Sequence, residues 1–185
     1  QAIKVLNAIT LRYNEKYGKP DVVVIELARE MGKNFNDRRK IEKSQEENMQ
    51  NNERIKQHII ELGKSNPTGQ DIVKYKLWEE QDGTCLYSGK KISVDMLFTE
   101  AVDVDHIIPY SMCFDDTYNN KVLVLASENR QKGNRVPYKY EKEMGRNIDE
   151  YIVKVGSIIK NPKKLRKLLR EDFTKEDAKD WKDRN

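Results

Sequence analysis

Two short apolar runs in the middle of the chain, separated by a polar loop, constrain the fold more than any other feature. The first run, at 102–108, is rich in β-branched residues and precedes Pro109, which cannot continue the hydrogen-bond ladder of a strand. The second run, at 121–126, reads KVLVLA, and a short polar helix is predicted to start near Ser127. The order of strand, loop, strand and helix predicts a small α+β unit.

Helical patterns fill most of the remaining sequence. Apolar residues recur at helical spacing over 3–16, and a glycine at 18 and a proline at 20 end that helix. The segment TCLYSGKKI, at 84–92, carries the Ser-Gly turn of a hairpin or knuckle. Thr174 stands where the N-cap of a last helix is expected. The fold class is therefore α+β and mostly helical, with helices predicted at 3–16, 35–62, 70–82, 139–159 and 162–171.

The segment DVVVIELAREMGKN, at 21–34, contains a strand that lacks neighbours. Four consecutive apolar residues, 22–25, are typical of a strand buried on both faces, and Glu26 ends the run. The next residues, 35–62, form a polar helix whose apolar positions are too sparse for a full core face. We therefore expect the lone strand to belong to another domain, whose remaining strands lie outside this sequence.

The composition of the chain predicts a cellular location but does not by itself predict a function. The net charge of +4 is only mildly basic and does not by itself predict nucleic-acid binding. Basic residues are concentrated at 130–146 and 160–170, where they become candidates for phosphate contacts if a catalytic site lies between them. The chain has two cysteines, no signal peptide and no apolar run of the roughly 18 residues that a membrane span needs. These features predict a cytoplasmic protein with reduced thiols and no membrane partner.

Four polar residues mark a candidate catalytic site around the two strands. Asp105 and His106 close the first strand, Asn120 opens the second, and Asn129 lies in the helix. A hard cation such as Mg²⁺ keeps several waters, so one carboxylate and one amide oxygen suffice to hold it. A histidine with an ordinary pKa of about 6.5 is largely neutral in the cytosol and can deprotonate water. The set therefore suits metal-assisted hydrolysis of a phosphodiester.

Each of these residues also has an ordinary structural explanation, which for His106 is a buried histidine hydrogen-bonded to a neighbour. Asp105 is suited to end a strand, Asn129 to cap a helix, and Asn120 to form a turn. Neighbouring residues on a regular strand point to opposite faces, so Asp105 and His106 share one site only if the strand is distorted, which Pro109 makes plausible. Their joint occurrence in one strand–loop–strand–helix unit favours the catalytic interpretation.

The same stretch resembles the HNH, or ββα-metal, nucleases. The residues DVDHIIPYS…DDTYNNKVLVLASENRQKGNRVP, at 103–137, are similar to the HNH domain of the type II RNA-guided CRISPR effector nucleases. The residues VVVIELARE, at 22–30, resemble the second of three separated segments of the RuvC-like domain, of ribonuclease H fold, in the same proteins. The HNH domain of those proteins is inserted after that segment, as here. The resemblance explains the lone strand and implies that the chain, which begins with Gln1, is part of a longer protein.

The resemblance assigns a role to each marked residue. It implies that Asp105 and Asn129 bind Mg²⁺, for which Mn²⁺ can substitute, that His106 is the general base that activates water, and that Asn120 braces the loop. Glu26 resembles a metal-binding glutamate of the RuvC-like site, and we expect it to be inert here because the other ligands lie outside this chain. The candidate phosphate contacts, which a solvated surface explains about equally well, are Lys121, Arg130, Lys132 and Arg135.

The resemblance also implies the activity. It points to a Mg²⁺-dependent DNA endonuclease of the prokaryotic cytoplasm that works with the rest of its parent nuclease and cuts the DNA strand paired with a guide RNA. Base pairing reads the sequence in this class, so we expect no sequence-reading code in this chain. The expected domains are 1–34, the incomplete RuvC-like second segment; 35–66, a linker helix; 67–170, the HNH domain; and 171–185, a linker toward the third segment.

Two alternatives remain open. One is a free-standing HNH endonuclease of the homing type, against which the lone strand argues. The other is a non-catalytic nucleic-acid-binding module that keeps the motif as a relic, and such a module would show no metal-dependent nicking.

We do not expect structural zinc. Many HNH domains carry paired CxxC knuckles, whereas the segment CLYSG has Ser88 where the second cysteine would stand, and Cys113 is alone in its loop. A tetrahedral site needs four nitrogen or sulfur ligands. We therefore predict that Cys85 packs beneath the turn.

Overall fold

The computed structural model describes residues 2–18, 35–174 and 177, and the chain divides into two compact units, 1–45 and 46–185. Helix α1 (Ala2–Tyr17) belongs to the first unit and confirms the helix predicted at 3–16. It ends at Gly18, whose φ of +76° lies in the left-handed region that glycine adopts readily. The strand predicted at 22–25 and Glu26 lie outside the described residues.

Helix α2 (Phe35–Glu61) is one continuous helix of 27 residues, in agreement with the long polar helix predicted at 35–62. Its buried side chains are Ile55 and Ile59, both in the last two turns. Residues four apart lie on one face of a helix, so this pair presents a single short apolar stripe. Both side chains join the main core of the second unit, which therefore holds the C-terminal end of α2.

Helix α3 (Gly69–Glu80) begins at a capping box formed by Thr68 and Asp71. The Thr68 Oγ1 accepts from the Asp71 backbone N–H at 3.3 Å, and Asp71 Oδ2 accepts from the Thr68 backbone N–H at 2.8 Å. Two backbone donors that the helix cannot satisfy are thus paired. Beyond α3, Thr84 and Lys91 form an isolated antiparallel bridge, which confirms the turn predicted at 84–92, and Cys85 is fully buried there.

A two-stranded antiparallel sheet, β1 (Val102–His106) and β2 (Lys121–Leu125), lies in the second unit. The register sets Val104 opposite Leu123 and His106 opposite Lys121. Both predicted strands are confirmed, although β1 ends two residues earlier than expected. Helix α5 (Ala126–Lys132) follows β2 directly, as the sequence predicts.

The connection between the strands is more regular than the irregular loop predicted at 109–119. It contains one helical turn, α4 (Tyr110–Cys113), and a 3₁₀ turn at Tyr118–Asn120. Pro109 is the N-cap of α4, so the residue that was expected to end the strand starts this turn instead. A single turn of helix has too few residues for a periodic pattern to reveal it.

Three helices complete the described chain. The helical region predicted at 139–159 is interrupted at Gly145, which has a φ of +68°, and restarts at Asn147. The Asn147 side chain caps the new helix by accepting from two backbone N–H groups. Thr174 and Asp177 pair reciprocally as the predicted N-cap requires. The helices are α6 (Pro137–Glu143), α7 (Ile148–Ile158) and α8 (Pro162–Leu168).

The main core surrounds the sheet. Leu123 of β2 is fully buried in the same cluster as Leu77 of α3 and Val155 of α7. A smaller cluster includes Ile108 and Cys113 from the connection between the strands. None of the helices in the described ranges combines the length and apolar character that crossing a membrane requires. The predicted class, α+β and mostly helical, is confirmed.

Candidate active site

Helix α5 lies against β1, and two of its side chains each bond a carboxylate on the strand. Asn129 Nδ2 donates to Asp103 Oδ2 at 3.2 Å, and Lys132 Nζ donates to Asp105 Oδ1 at 3.2 Å. Residues two apart on a strand share a face, and residues three apart on a helix are neighbours. The two contacts therefore run side by side and fix the packing of α5 across β1.

Asp105 is buried and bound by protein donors on both oxygens. The Tyr87 hydroxyl donates to Asp105 Oδ2 at 2.6 Å, and Lys132 Nζ lies 3.0 Å from the same oxygen. Burial raises the pKa of Asp105, and the Lys132 ammonium and the Tyr87 hydroxyl oppose that rise without cancelling it. Burial and the neighbouring Asp105 raise the pKa of Tyr87 well above its ordinary value, so its hydroxyl is a neutral donor.

His106 has a different set of partners. Its Nε2 lies 2.8 Å from Asp116 Oδ1, and Lys121 Nζ lies 2.8 Å from the same oxygen. Hydrogen bonds from Lys121 and His106 lower the pKa of Asp116. The His106 ring centroid lies 5.6 Å from that of Tyr110. With 29% of its side chain exposed, His106 borders an open cleft of about 530 Å³ that Asp103 also lines.

Asn120 ties the connection after β1 to the start of β2. Its Oδ1 accepts from the Ile108 backbone N–H at 3.0 Å, and its Nδ2 donates to the carbonyls of Ile108 and Asp115, each at 2.9 Å. The residue is fully buried. This side chain replaces strand hydrogen bonds immediately beyond the last pair of the sheet, which is the geometry that a bracing role needs.

The structure brings only part of the predicted site together. Asn129 donates to Asp103 and not to Asp105, whereas Asp105 is bonded by Tyr87 and Lys132. Pairing of β1 with β2 stays regular through His106, so the strand does not distort between the two neighbours. The catalytic and metal-binding roles of these residues remain predictions.

Three of the four candidate phosphate contacts are at least partly accessible. Arg130 is exposed, and Lys121 keeps 20% of its side chain exposed beside Asp116. Arg135 is one-third exposed and pairs with Glu143 at 2.7 Å. Any phosphate contact by Lys121 or Arg135 would therefore compete with an existing carboxylate.

Lys132 requires a correction. The sequence suggests a surface contact for phosphate, but only 1% of the side chain is exposed. Its ammonium donates to the backbone carbonyl of His106 at 3.1 Å as well as to Asp105. A lysine enclosed in this way neutralises a buried carboxylate and presents no charge to the solvent.

The oxygen donors around β1 and α5 fit a hard divalent cation. Two aspartates and one asparagine supply the ligand types that Mg²⁺ and Mn²⁺ favour. Within the described ranges, no group of three or more His, Cys, Asp or Glu side chains is arranged to hold a metal. A cation here would rely on Asp105, the Asn129 amide oxygen and water, and it would share the carboxylate with Lys132 or displace that lysine.

Three residues of this site have no role in the sequence argument. Asp103 lies two residues before Asp105, so the period of a strand places both on one face and could have identified it. Tyr87 and Asp116 are 18 and 10 residues from the side chains they bond. No local pattern relates residues at such separations, and only the folded chain reveals these contacts.

Comparison with known families identifies the class of this unit. Residues 85–138 match a family model described as HNH endonuclease. The matched stretch includes β1, the connection, β2 and α5, which together hold the four predicted site residues. This part of the chain belongs to the HNH endonucleases.

Over most of its length the chain is similar to Cas9 nucleases. It is 34% identical to CRISPR-associated endonuclease Cas9 1 of Streptococcus thermophilus, over 97% of this chain and 17% of that protein. It is 41% identical to Cas9 of Staphylococcus aureus, over 76% of this chain and 13% of that protein. A crystal structure of Streptococcus thermophilus Cas9 in complex with the AGAA PAM matches with a TM-score of 0.68 at 32% identity, over 94% of this chain and 18% of that one. The chain thus spans less than a fifth of these relatives, and the resemblance to the RNA-guided effectors is confirmed.

Proposed function

We propose that this chain provides the HNH nuclease domain of a Cas9-like effector and that it cuts the DNA strand paired with the guide RNA. The observation that carries this proposal is that the HNH match at 85–138 lies within a similarity to Cas9 1 covering 97% of the chain. His106 supports it, because a base that acts on water must reach solvent, and this residue borders an open cleft. We place the parent protein in the bacterial cytoplasm, since the relatives named above come from bacteria.

In the proposed reaction, His106 accepts a proton from a water molecule as that water attacks the scissile phosphorus. The bond from phosphorus to the 3′ oxygen breaks, and that oxygen takes a proton from a second water molecule, which leaves a 5′-phosphate and a 3′-hydroxyl. Asp105 and Asn129 would hold the divalent metal, which would supply positive charge to the phosphate and the leaving oxygen. Because β1 is regular between Asp105 and His106, the reaction requires the end of the strand to change conformation so that both side chains reach one phosphate. Asn120 fixes the backbone that follows His106, and so holds the base in register with the phosphate.

The partners follow from the same proposal. The DNA–RNA heteroduplex is read by base pairing, and the chain contacts its backbone through Arg130, Lys121 and Arg135. Residues 1–34 supply the second segment of a RuvC-like domain, in which Glu26 is one metal ligand. The rest of the parent nuclease completes that second site and delivers the strand to the first.

Strand-resolved cleavage by the full-length nuclease tests these assignments. The enzyme is programmed with its guide, supplied with Mg²⁺ and given a duplex labelled on each strand. We expect His106→Ala to spare the guide-paired strand alone and Glu26→Ala to spare the other strand alone. His58→Ala is the matched control, because the second histidine of the chain is half-exposed in α2 and should leave both cuts intact. Unchanged cutting of the guide-paired strand by His106→Ala would show that this histidine is structural.

Metal binding can be measured separately from cleavage. The chain is mixed with Mn²⁺, and electron paramagnetic resonance measures the signal of the free ion. We expect this signal to fall as Mn²⁺ binds the site. Asp105→Ala should abolish this binding, and the exposed Glu100→Ala should not. Equal Mn²⁺ binding by both variants would exclude Asp105 as the ligand.

The isolated chain distinguishes the alternatives. It should show weak or no nuclease activity, because the guide and the remainder of the nuclease are missing. Strong site-specific cutting by the chain alone would favour a free-standing homing-type endonuclease. If every site variant of the full-length protein kept its nuclease activity, the chain would instead be a module that only binds nucleic acid.

A further inference from the structure

The His106 ring is held from two sides by residues of the connection between the strands. Asp116 Oδ1 lies 2.8 Å from Nε2, and the Tyr110 ring packs against the imidazole at a tilt of 43°. Asp116 follows Asp115, whose side chain forms an ion pair with Lys167 of α8. The Asp115 backbone carbonyl accepts a hydrogen bond from the Asn120 side chain. The carboxylate that meets His106 therefore lies on an anchored stretch of backbone.

The chemistry of this contact decides which nitrogen of His106 can act as a base. An ionised carboxylate only accepts hydrogen bonds, so the nitrogen that faces Asp116 must carry the proton. A neutral imidazole has one N–H, which leaves the lone pair on Nδ1. Among the hydrogen bonds of the described residues, Nδ1 has no partner. The unprotonated nitrogen is thus free to meet water.

The sheet register sets up the same arrangement. His106 pairs with Lys121 across the two strands, and Lys121 Nζ lies 2.8 Å from the Asp116 oxygen that faces Nε2. The lysine and the histidine thus share one carboxylate oxygen, and both hydrogen bonds favour the charged form of Asp116 by lowering its pKa. Asp103 and Lys74 also line the cleft at His106, and neither has a hydrogen bond to the ring.

We propose that Asp116 is a positioning residue that accepts the Nε2–H of His106 and thereby keeps Nδ1 as the basic atom that takes the proton from water. This inference rests on the proposed function, since it assigns an atom to the base. The role corresponds to that of the aspartate in a Ser-His-Asp triad, which orients the imidazole and fixes its tautomer. Here the carboxylate comes from a loop ten residues after the histidine.

Nuclear magnetic resonance of the chain labelled with ¹⁵N-histidine tests the contact directly. Only two histidines are present, so His58 serves as an internal reference. We expect His106 to show a protected proton on Nε2 and an unprotonated Nδ1. Asp116→Ala should remove the protection, and Asp116→Glu should restore part of it. Lys121→Met should keep the proton on Nε2, because the lysine touches the carboxylate and not the ring.

Cleavage of the guide-paired strand by the full-length nuclease supplies the second measurement. Asp116→Ala should lower the rate at saturating enzyme and Mg²⁺ by about tenfold or more, and Asp116→Glu should recover part of that loss. The enzyme concentration for half-maximal rate should not change, because the carboxylate does not touch the substrate. Asp116→Asn is the second variant, for the case in which Asp116→Ala does not fold. The neutral amide oxygen of asparagine should accept the His106 Nε2–H more weakly than the carboxylate does, so this variant should also lower the cleavage rate.

The outcomes separate this inference from the proposed function. An unchanged Nε2 proton signal in Asp116→Ala, an Nδ1–H tautomer in the wild type, or an unchanged cleavage rate would each overturn the role of Asp116. Normal cutting of the guide-paired strand by His106→Ala would overturn the proposed function itself, and the resonance data would then still report whether the contact exists.

Discussion

Lys132 and Asp105 form an ion pair in which both side chains are enclosed, with Nζ 3.0 Å from Oδ2 and exposures of 1% and 9%. The pair connects the last residue of α5 to the strand end that carries His106. Removal of both charges from water is costly, and their attraction with the added Tyr87 hydrogen bond offsets that cost. The position of α5 on β1 therefore depends on a charge balance at the predicted metal ligand.

Lys132→Met should destabilise the chain by about 3 kcal/mol, because it leaves the Asp105 carboxylate buried without a counter-charge. Urea denaturation at neutral pH measures the change in the free energy of unfolding. The control is Lys142→Met on an exposed face of α6, which should change stability by less than about 0.5 kcal/mol.

A double-mutant cycle sharpens this prediction. Asp105→Asn combined with Lys132→Met should cost less than the sum of the two single changes, since neither partner is then left charged and unpaired. Strict additivity would mean that the two groups do not interact in solution.

Asn120→Ala should destabilise the chain by about 3 kcal/mol, because it leaves the buried Ile108 N–H without a partner and the Ile108 carbonyl with only the weak Cys113 thiol donor. The neighbouring Asn119 is the matched control. Its side chain accepts one hydrogen bond from Asn161 in a partly exposed setting, so Asn119→Ala should cost about 1 kcal/mol or less. Similar losses for both variants, measured by thermal unfolding, would contradict the bracing role.

The secondary structure around the site could be predicted from local pattern. The β-branched runs at 102–108 and 121–126 predict the two strands, although β1 ends at His106 and Pro109 instead starts α4. Thr174 is the N-cap expected from the sequence, since a side-chain acceptor three residues before the pairing N–H is a local signal. Such features depend on neighbours in sequence. The break at Gly145 and the cap at Asn147 were not predicted.

The side-chain partners of the site could not be predicted in this way. Lys132 reads as one of several basic residues in a polar helix, and only the packing of α5 on β1 encloses it. The position of Asp105 in the strand was evident, but its bond to Tyr87 joins residues 18 apart through a turn. Burial and charge pairing at this distance are properties of the assembled core.

The capping box of α3 makes stability depend on pH. Burial alone would raise the pKa of Asp71, but hydrogen bonds from Lys64 and Thr68 outweigh it and lower the pKa below the ordinary 3.8. A lowered carboxyl pKa adds stability above the unfolded-state value, and that stability is lost as the pH falls through the folded-state pKa. Asp71→Asn should therefore lower the free energy of unfolding by about 1 kcal/mol at pH 7. This difference from wild type should disappear below about pH 3.8, where the wild-type carboxyl is also neutral.

Denaturation curves of wild type and Asp71→Asn at several pH values measure this gap. Glu100→Gln, at an exposed position, should show no such dependence relative to wild type. A gap that widens toward acid pH would have the wrong sign and would contradict the assigned contact.

Tyr87→Phe separates the support of Asp105 from general packing. The ring is buried and lies 6.0 Å from the Tyr140 ring in an edge-on arrangement, which phenylalanine preserves. Loss of the hydroxyl removes one of the two donors to Asp105 and should cost about 1.5 kcal/mol in stability.

Tyr151→Phe is the matched control for that change. Tyr151 is equally buried, and its hydroxyl donates to the Leu168 carbonyl at 3.0 Å, away from the site. In both variants the free energy of unfolding should fall by about 1 to 2 kcal/mol. Only Tyr87→Phe should slow cutting of the guide-paired strand, because it alone removes a hydrogen bond from the carboxylate predicted to hold the metal. Equal cleavage rates for the two variants would mean that the Tyr87 hydroxyl stabilises the core without tuning Asp105.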